Sequence, residues 1–121
     1  MLSKLLNVSI LALTLSGCAT SRLQDVNSAI NRYKYIPDTI DYTKSYGQFI
    51  KDGGGDCEDY ANAKKHILGG ELRLWPNIIK SGDGYSSHVV LVVDGYILDN
   101  RTESIKPASL YTTYPYTPAY K

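Results

Sequence analysis

The sequence predicts a small α+β domain in which a central helix packs on a short antiparallel sheet. A helix-forming run follows Asp56, a good helix N-cap, and ends at the glycine pair Gly69-Gly70. Further along, a continuous β-branched run is joined by Asp94-Gly95 to a second apolar run, which is the pattern of a β-hairpin with a two-residue turn. A helix followed by an antiparallel hairpin gives the α+β class.

The first segment of the chain is interpreted as a targeting signal. Residues 1–17 carry an early positive charge, Lys4, and an apolar stretch that is short for a membrane span. The stretch ends in Leu15-Ser16-Gly17-Cys18, which resembles the lipobox of bacterial lipoproteins. This resemblance implies cleavage before Cys18 and acylation of that cysteine. An ordinary signal peptide or a buried hydrophobic helix is the alternative.

We therefore expect a lipoprotein signal peptide over 1–17 and one domain over 18–121. Ala19 after the cysteine resembles the pattern sent to the outer membrane, so the expected location is the outer membrane, facing the periplasm. Since Lys4 is the only charged residue of the signal, 12 basic and 12 acidic residues remain. This balance gives no support for nucleic-acid binding, and membrane contact is expected only through the lipid anchor.

The elements before the central helix follow from periodicity. Apolar residues recur at helical spacing over Ala19–Lys34, which predicts an amphipathic helix; they are Leu23, Val26, Ala29, Ile30 and Tyr33. Over Tyr35–Lys51 the pattern predicts a loop and then a short helix. Gly53-Gly54-Gly55 suits no regular element, so the chain is expected to turn tightly there or to approach another backbone.

The central helix is predicted to span Cys57 to about Leu68. Leu72, Leu74 and Trp75 then predict a strand that Pro76 stops, and residues 81–84 predict a loop. Strands over 88–93 and 96–100 form the hairpin, and the proline- and tyrosine-rich tail from Ser104 is expected to lie extended over the domain.

Cys57 is the candidate nucleophile. If Cys18 carries lipid, Cys57 has no partner cysteine, and an unpaired thiol in an exported protein is usually buried or used. The start of a helix favours a thiolate, because free N–H groups and the positive end of the dipole face the sulfur. The N–H of Cys57 can also hold an oxyanion. A buried, inert cysteine is the alternative.

The base must be His66 or His88, because the chain has only these two histidines. His66 lies nine residues along the helix from Cys57, so it points to the opposite side and lies roughly 13 Å along the axis. His88 remains, on the predicted strand. A two-residue turn at Asp94-Gly95 places Asp99 diagonal to His88 on one face of the hairpin, where its carboxylate can orient the imidazole. A core histidine and a strand-end acid are the alternative interpretation.

These residues resemble the bacterial transglutaminase-like cysteine proteinases, of which the LapG-type periplasmic proteases are one branch. The resemblance rests on Asp41-Tyr42, Phe49-Ile50-Lys51, Gly53, Gly55-Asp56-Cys57-Glu58-Asp59-Tyr60-Ala61, Ala63-Lys64, His88-Val89-Val90-Leu91 and Leu98-Asp99-Asn100. It implies a papain-like, transglutaminase-like core with Cys57, His88 and Asp99 as the catalytic triad.

The resemblance also implies calcium beside the nucleophile, bound by Asp56 and Glu58, with Asp59 as a weaker candidate. The expected function is a cysteine peptidase that acts on an envelope or periplasmic protein. A transglutaminase-like acyltransferase, an amidase and a non-catalytic lipoprotein binding module remain alternatives, because the fold and the triad do not fix the acyl acceptor.

Overall fold

The computed structural model describes residues 19–37, 42–78 and 85–120. The predicted signal segment, Cys18, Asp41 and the predicted loop over 81–84 lie outside the described residues. None of the helices in the described part of the chain combines the length and the apolarity needed to span a bilayer.

Two helices and a parallel strand pair precede the central helix. The described part of α1 covers 19–31, and β1 follows at Lys34–Tyr35. Helix α2 spans Tyr46–Asp52, so the predicted short helix is confirmed, whereas residues 38–41 of the predicted loop lie outside the described residues. The helix predicted over Ala19–Lys34 is present but ends at Asn31, because Lys34 already pairs in β1. Within this helix Ala29 is exposed, and Asn27 is buried although it is polar.

The glycine cluster forms a strand, contrary to the expectation that no regular element would include it. Strand β2, Gly54–Gly55, pairs in parallel with β1. A Cβ atom on Gly54 would lie 1.7 Å from the carbonyl oxygen of Lys34. The expected close approach of another backbone is therefore present, and the absence of a side chain at Gly54 is what permits it.

The central helix α3 spans Cys57–Leu68, as predicted. Asp56 occupies the N-cap position, and its backbone N–H donates to Oδ2 of Asp59 at 3.0 Å. Gly69 ends the helix with a positive φ of 76°. Local capping chemistry thus fixes both ends of the helix that carries the thiol.

The main sheet has five strands in the order β6-β5-β4-β3-β7, and every neighbouring pair is antiparallel. The strands are β3 (Glu71–Ile78), β4 (Tyr85–Val93), β5 (Tyr96–Leu98), β6 (Lys106–Pro107) and β7 (Tyr114–Pro115). A short 3₁₀ helix, Ala108–Leu110, joins the last two. The described structure is therefore α+β with an antiparallel sheet, as predicted.

Strand β3 runs past Pro76, whereas the sequence predicted that Pro76 would stop it. Pro76 pairs with Ser87 of β4, but the pairing of β3 with β7 covers only Arg73 and Leu74. Among the described residues, Pro76 pairs with β4 alone, which fits the preference of proline for strand positions at which one side has no ladder.

The predicted hairpin is confirmed, but its second strand ends at Leu98 and not at Asn100. Val93 pairs with Tyr96 across the turn, and Asp94 and Gly95 have positive φ values of 51° and 82°. Positive φ at both central residues is the geometry of a type I′ turn, which matches the twist of the strands. This tight turn sets the register between β4 and the residues that follow β5.

The core lies between the helices and one face of the sheet. The main buried cluster consists of Leu23, Ala61, Leu72, Val89, Leu91, Val93 and Leu98, and Cys57 packs against it. A second buried cluster joins α1, α2 and α3 through Ile30, Phe49, Tyr60 and Ala63. The thiol is therefore held at the boundary of the main core.

Candidate active site

The nucleophile candidate Cys57 is the first residue of α3 and is half-buried. A hydrogen bond from the backbone of Val89 reaches its thiol, which places the sulfur beside the residue that follows His88. Helix α3 and strand β4 thus place the thiol of Cys57 beside the strand that carries His88, and the catalytic pairing of these two residues stays a prediction.

The thiol lies in surroundings that oppose ionisation. Burial raises the pKa of Cys57, and the carboxylates of Asp56 and Glu58 raise it further, while backbone hydrogen bonds from Val89 and Glu58 act in the opposite direction. The sum is a raised pKa, so a base or a nearby cation is needed to make the thiolate at neutral pH.

His88 and Asp99 form the hydrogen bond that the hairpin register predicts. Nε2 of His88 lies 2.6 Å from Oδ1 of Asp99, and both side chains are buried. Because Asp99 is ionised, Nε2 is the donor, and Nδ1 is left as the basic nitrogen of the neutral ring.

Asp99 is held as a carboxylate. Burial by itself would raise its pKa, but hydrogen bonds from His88 and from Arg101 outweigh burial, so the pKa of Asp99 lies far below its usual range. The backbone N–H of Arg101 donates to Oδ1 at 2.9 Å, and its Nη2 donates to Oδ2 at 3.2 Å. Arg101 therefore keeps the Asp99 carboxylate charged and in position to accept the hydrogen bond from His88.

His66 lies outside this site, as predicted. Its side chain is exposed and stacks on the ring of Tyr46, with centroids 4.4 Å apart. Among the described residues, no hydrogen bond or ion pair joins His66 to Cys57, His88 or Asp99.

The three acids predicted as metal ligands are clustered. One carboxylate oxygen from each of Asp56, Glu58 and Asp59 lies within 4.8 Å of the others. Asp59 is fully buried, and its Oδ1 accepts from the backbone N–H of Lys44 at 2.7 Å while Oδ2 accepts from Asp56. The hydroxyl of Tyr116 donates to Glu58. An all-oxygen set of this kind suits a hard cation such as Ca²⁺, and Asp59 has the larger structural role.

Sequence reasoning missed a polar network behind Asp99. Lys64 of α3 is fully buried, and its Nζ donates to Oδ1 of Asn27 in α1 at 2.8 Å. Asn27 in turn donates to the carbonyl oxygens of Thr102 and Glu103, at 3.1 and 3.0 Å. Asn31 donates to the carbonyl oxygen of Asp99 at 2.9 Å.

The network joins α1 and α3 to the backbone of the segment that carries Asp99. A signal for it was present in the sequence, because Lys64 shares the helical stripe of Cys57, Ala61 and Leu68. A lysine at a core-facing position of a helix requires a buried partner.

The sequence and the fold are similar to those of known proteins. A family model described as bacterial transglutaminase-like cysteine proteinase matches residues 7–119. No curated protein matches the chain significantly.

Among solved structures, calcium-bound LapG of Legionella pneumophila is 32% identical with a TM-score of 0.55, covering 73% of this chain and 57% of its own. A second LapG structure from Legionella pneumophila is 30% identical with a TM-score of 0.57, covering 77% of this chain and 60% of its own. The chain thus spans less than two thirds of the length of these LapG chains. An EGTA-treated form of LapG has a TM-score of 0.56 and is 30% identical, covering 77% of this chain and 58% of its own. Since the family model covers nearly the whole chain, this protein belongs to the bacterial transglutaminase-like cysteine proteinase family.

Proposed function

We propose that this protein is a thiol hydrolase, a cysteine peptidase that acts on a protein of the cell envelope or periplasm. The observation that carries the proposal is the buried 2.6 Å hydrogen bond between His88 and Asp99. Val89, the residue after His88, reaches the Cys57 thiol at the helix N-terminus through its backbone. Nucleophile, base and orienting acid are the three groups that acyl transfer through a thioester needs.

In the proposed reaction, Nδ1 of His88 takes the proton from the Cys57 thiol, and the sulfur attacks the peptide carbonyl carbon. The N–H of Cys57 holds the oxyanion. His88 then gives the proton to the leaving amine as the C–N bond breaks and a thioester forms. Water, deprotonated by His88, attacks the thioester and releases the acid and the thiol. Asp99 stays ionised throughout and stabilises the imidazolium.

The acids beside the nucleophile are proposed to hold Ca²⁺. Support comes from the clustered oxygens of Asp56, Glu58 and Asp59 and from the calcium-bound form of the related LapG. The positive charge of the ion would offset the carboxylates that raise the Cys57 pKa. Asp56 and Glu58 are the proposed principal ligands, because Asp59 already accepts two backbone hydrogen bonds.

We also propose that the chain is a lipoprotein with a signal over 1–17, a mature domain over 18–121 and an acylated Cys18. Support comes from the sequence Leu15-Ser16-Gly17-Cys18, followed by Ala19. Cleavage there would place the domain at the outer membrane, facing the periplasm. Mass analysis of protein isolated from membranes tests this, since an unmodified mature N-terminus contradicts it.

The catalytic proposal is tested with a thiol-directed alkylating probe and mass spectrometric mapping. Cys57 should be labelled faster at neutral pH than a model peptide cysteine, and Asp99→Asn should remove this advantage. A thiol in the native protein that reacts no faster than the model peptide contradicts the enzyme and supports a non-catalytic binding module instead. His66→Ala is the matched control and should keep the wild-type rate.

A further inference from the structure

Four side chains form a surface beside the catalytic pair, here named the Trp75 patch: Trp75, Arg101, Lys106 and Tyr111. Trp75 lies directly opposite His88 in the β3–β4 ladder. Side chains of directly opposed residues project from the same face of a sheet. Arg101 forms an ion pair with Asp99 at 3.2 Å. The patch therefore borders both members of the His88–Asp99 pair.

Aromatic rings hold the two cations of the patch in place. The rings of Trp75 and Tyr111 meet edge to face, with centroids 4.8 Å apart. Nζ of Lys106 lies 5.6 Å from the Trp75 ring and 5.8 Å from the Tyr111 ring, and the Arg101 guanidinium lies 5.6 Å from the Trp75 ring. Cation–π contacts of this kind restrain a cation without occupying its N–H donors.

The charge of the patch is not neutralised at its surface. Lys106 has no ion pair with a carboxylate and no hydrogen-bond acceptor within the described part of the chain. The Arg101 side chain is 44% exposed, while the Asp99 side chain with which it pairs is 1% exposed. The Asp99 carboxylate is thus buried, whereas the cations of the patch lie nearer the surface. The patch therefore presents positive charge and aromatic rings to solvent beside His88 and Asp99.

We propose that the Trp75 patch binds an acidic side chain of the peptide substrate close to the bond that is cleaved, with Lys106 as the residue that determines this preference. The inference rests on the proposed peptidase function and names its substrate class. A carboxylate would give the Lys106 ammonium the acceptor that the described residues do not provide, and the rings would cover the adjoining part of the peptide.

Trp75 provides the test, because it is the only tryptophan of the chain. Its fluorescence therefore reports directly on the patch. The inactive Cys57→Ser protein is titrated with short glycine–serine peptides that carry a central pair of Glu, Gln or Lys. The Glu peptide should bind at least about tenfold more tightly than the Gln peptide, as expected for a charge-assisted contact, and less tightly as the salt concentration rises.

Lys106→Gln should remove the difference between the Glu and Gln peptides. The matched control is Lys51→Gln, which removes the same charge at an exposed position in α2 and should leave the difference intact. Equal binding of Glu and Gln peptides to the parent protein, or an unchanged preference in Lys106→Gln, overturns the proposal.

A second measurement connects the patch to the active site. Bound Glu peptide should slow alkylation of Cys57 in the wild-type protein, because a substrate that is cleaved at Cys57 must extend from the patch to the thiol. Binding without protection rejects the substrate role. Failure of the peptidase function is seen separately, as a thiol that reacts no faster than a model cysteine in the absence of any peptide.

Discussion

Nε2 of His88 in β4 lies 2.6 Å from Oδ1 of Asp99, the residue that follows β5. The type I′ turn at Asp94-Gly95 brings them together, because it sets how far β5 runs back along β4 before the chain reaches Asp99. The His88–Asp99 pair is therefore positioned by local turn chemistry, and Arg101 and Asn31 hold the Asp99 end in place.

The first prediction concerns the triad. Cys57→Ala and His88→Ala should each remove nearly all turnover, because one supplies the nucleophile and the other moves the proton. Asp99→Asn should lower kcat by about 10²- to 10⁴-fold, since it removes the group that fixes the tautomer and stabilises the imidazolium. Turnover is measured on a cleaved envelope protein or peptide, and circular dichroism checks that each variant is folded.

His66→Ala is the control for the loss of a histidine, and it should retain wild-type turnover because His66 lies on an exposed face against Tyr46. A fully active His88→Ala protein would remove His88 from the mechanism.

The second prediction concerns calcium. If Asp56 and Glu58 bind Ca²⁺ in the folded protein only, saturating calcium should raise the melting temperature. At a calcium concentration a hundredfold above Kd, the free energy of unfolding should increase by about 2.7 kcal/mol. Chelation should reverse this gain and lower activity together with it. In Glu58→Gln, most of the calcium-dependent rise in melting temperature should be lost.

Glu103→Gln is the matched control, because it neutralises an exposed acid far along the sequence from the cluster. The site is rejected if Glu58→Gln and Asp56→Ala melt with the same calcium dependence as the wild type.

Elements with strong local signals could be predicted from the sequence. Helix α3 has an N-cap at Asp56 and a glycine of positive φ at Gly69, and both predicted limits agree with the structure. The hairpin has a turn dipeptide that favours positive φ at both positions. Since Cys57 and His88 lie on these two elements, the core of the site followed from residue chemistry.

Features that depend on non-local pairing could not be predicted in this way. The parallel contact of Gly54 with Lys34 joins segments that are 20 residues apart and has no periodic signal. Pro76 remains within β3, and the pairing of β3 with β7 ends before it. That pairing is a property of the whole sheet and cannot be inferred from Pro76 and its neighbours in sequence. The burial of Lys64 and Asn27 depends on how α1 meets α3.

The third prediction concerns Gly55, which packs against the side chain of Asp59. A Cβ atom added at Gly55 would lie 2.5 Å from Cβ and Oδ2 of Asp59. Gly55→Ala should therefore destabilise the protein by about 1–3 kcal/mol, as overpacking does in a buried site. Denaturant unfolding measures the change.

Gly47→Ala is the matched control. A Cβ atom at Gly47 meets nothing within 4 Å, and the residue is exposed in α2. This change should stabilise the protein by about 0.5–1 kcal/mol, because alanine has the higher helix propensity. Equal effects of the two substitutions would contradict the close packing of Gly55 on Asp59.

The last prediction concerns the fully buried Lys64. Burial lowers its pKa to about 7, while the negative charge of Asp99 acts in the opposite direction. An unfolded lysine has a pKa near its ordinary value of 10.5, so between about pH 7 and 10 the unfolded chain binds a proton that the folded protein does not. The free energy of unfolding should therefore rise with pH in this range, by at most about 1.4 kcal/mol per pH unit.

Lys64→Met retains a side chain of similar length without the titrating group, so this pH-dependent contribution should be absent. At pH 6 the substitution stabilises the protein by removing a buried charge and destabilises it by removing the hydrogen bond to Asn27. At pH 9 the buried amine of the wild type is uncharged, so only the destabilising effect remains. The difference in unfolding free energy between wild type and Lys64→Met should therefore grow in favour of the wild type from pH 6 to pH 9. Lys65→Met, at the neighbouring and more exposed position, should show no such trend. Parallel pH profiles for wild type and Lys64→Met would mean that Lys64 keeps an ordinary pKa in the folded protein.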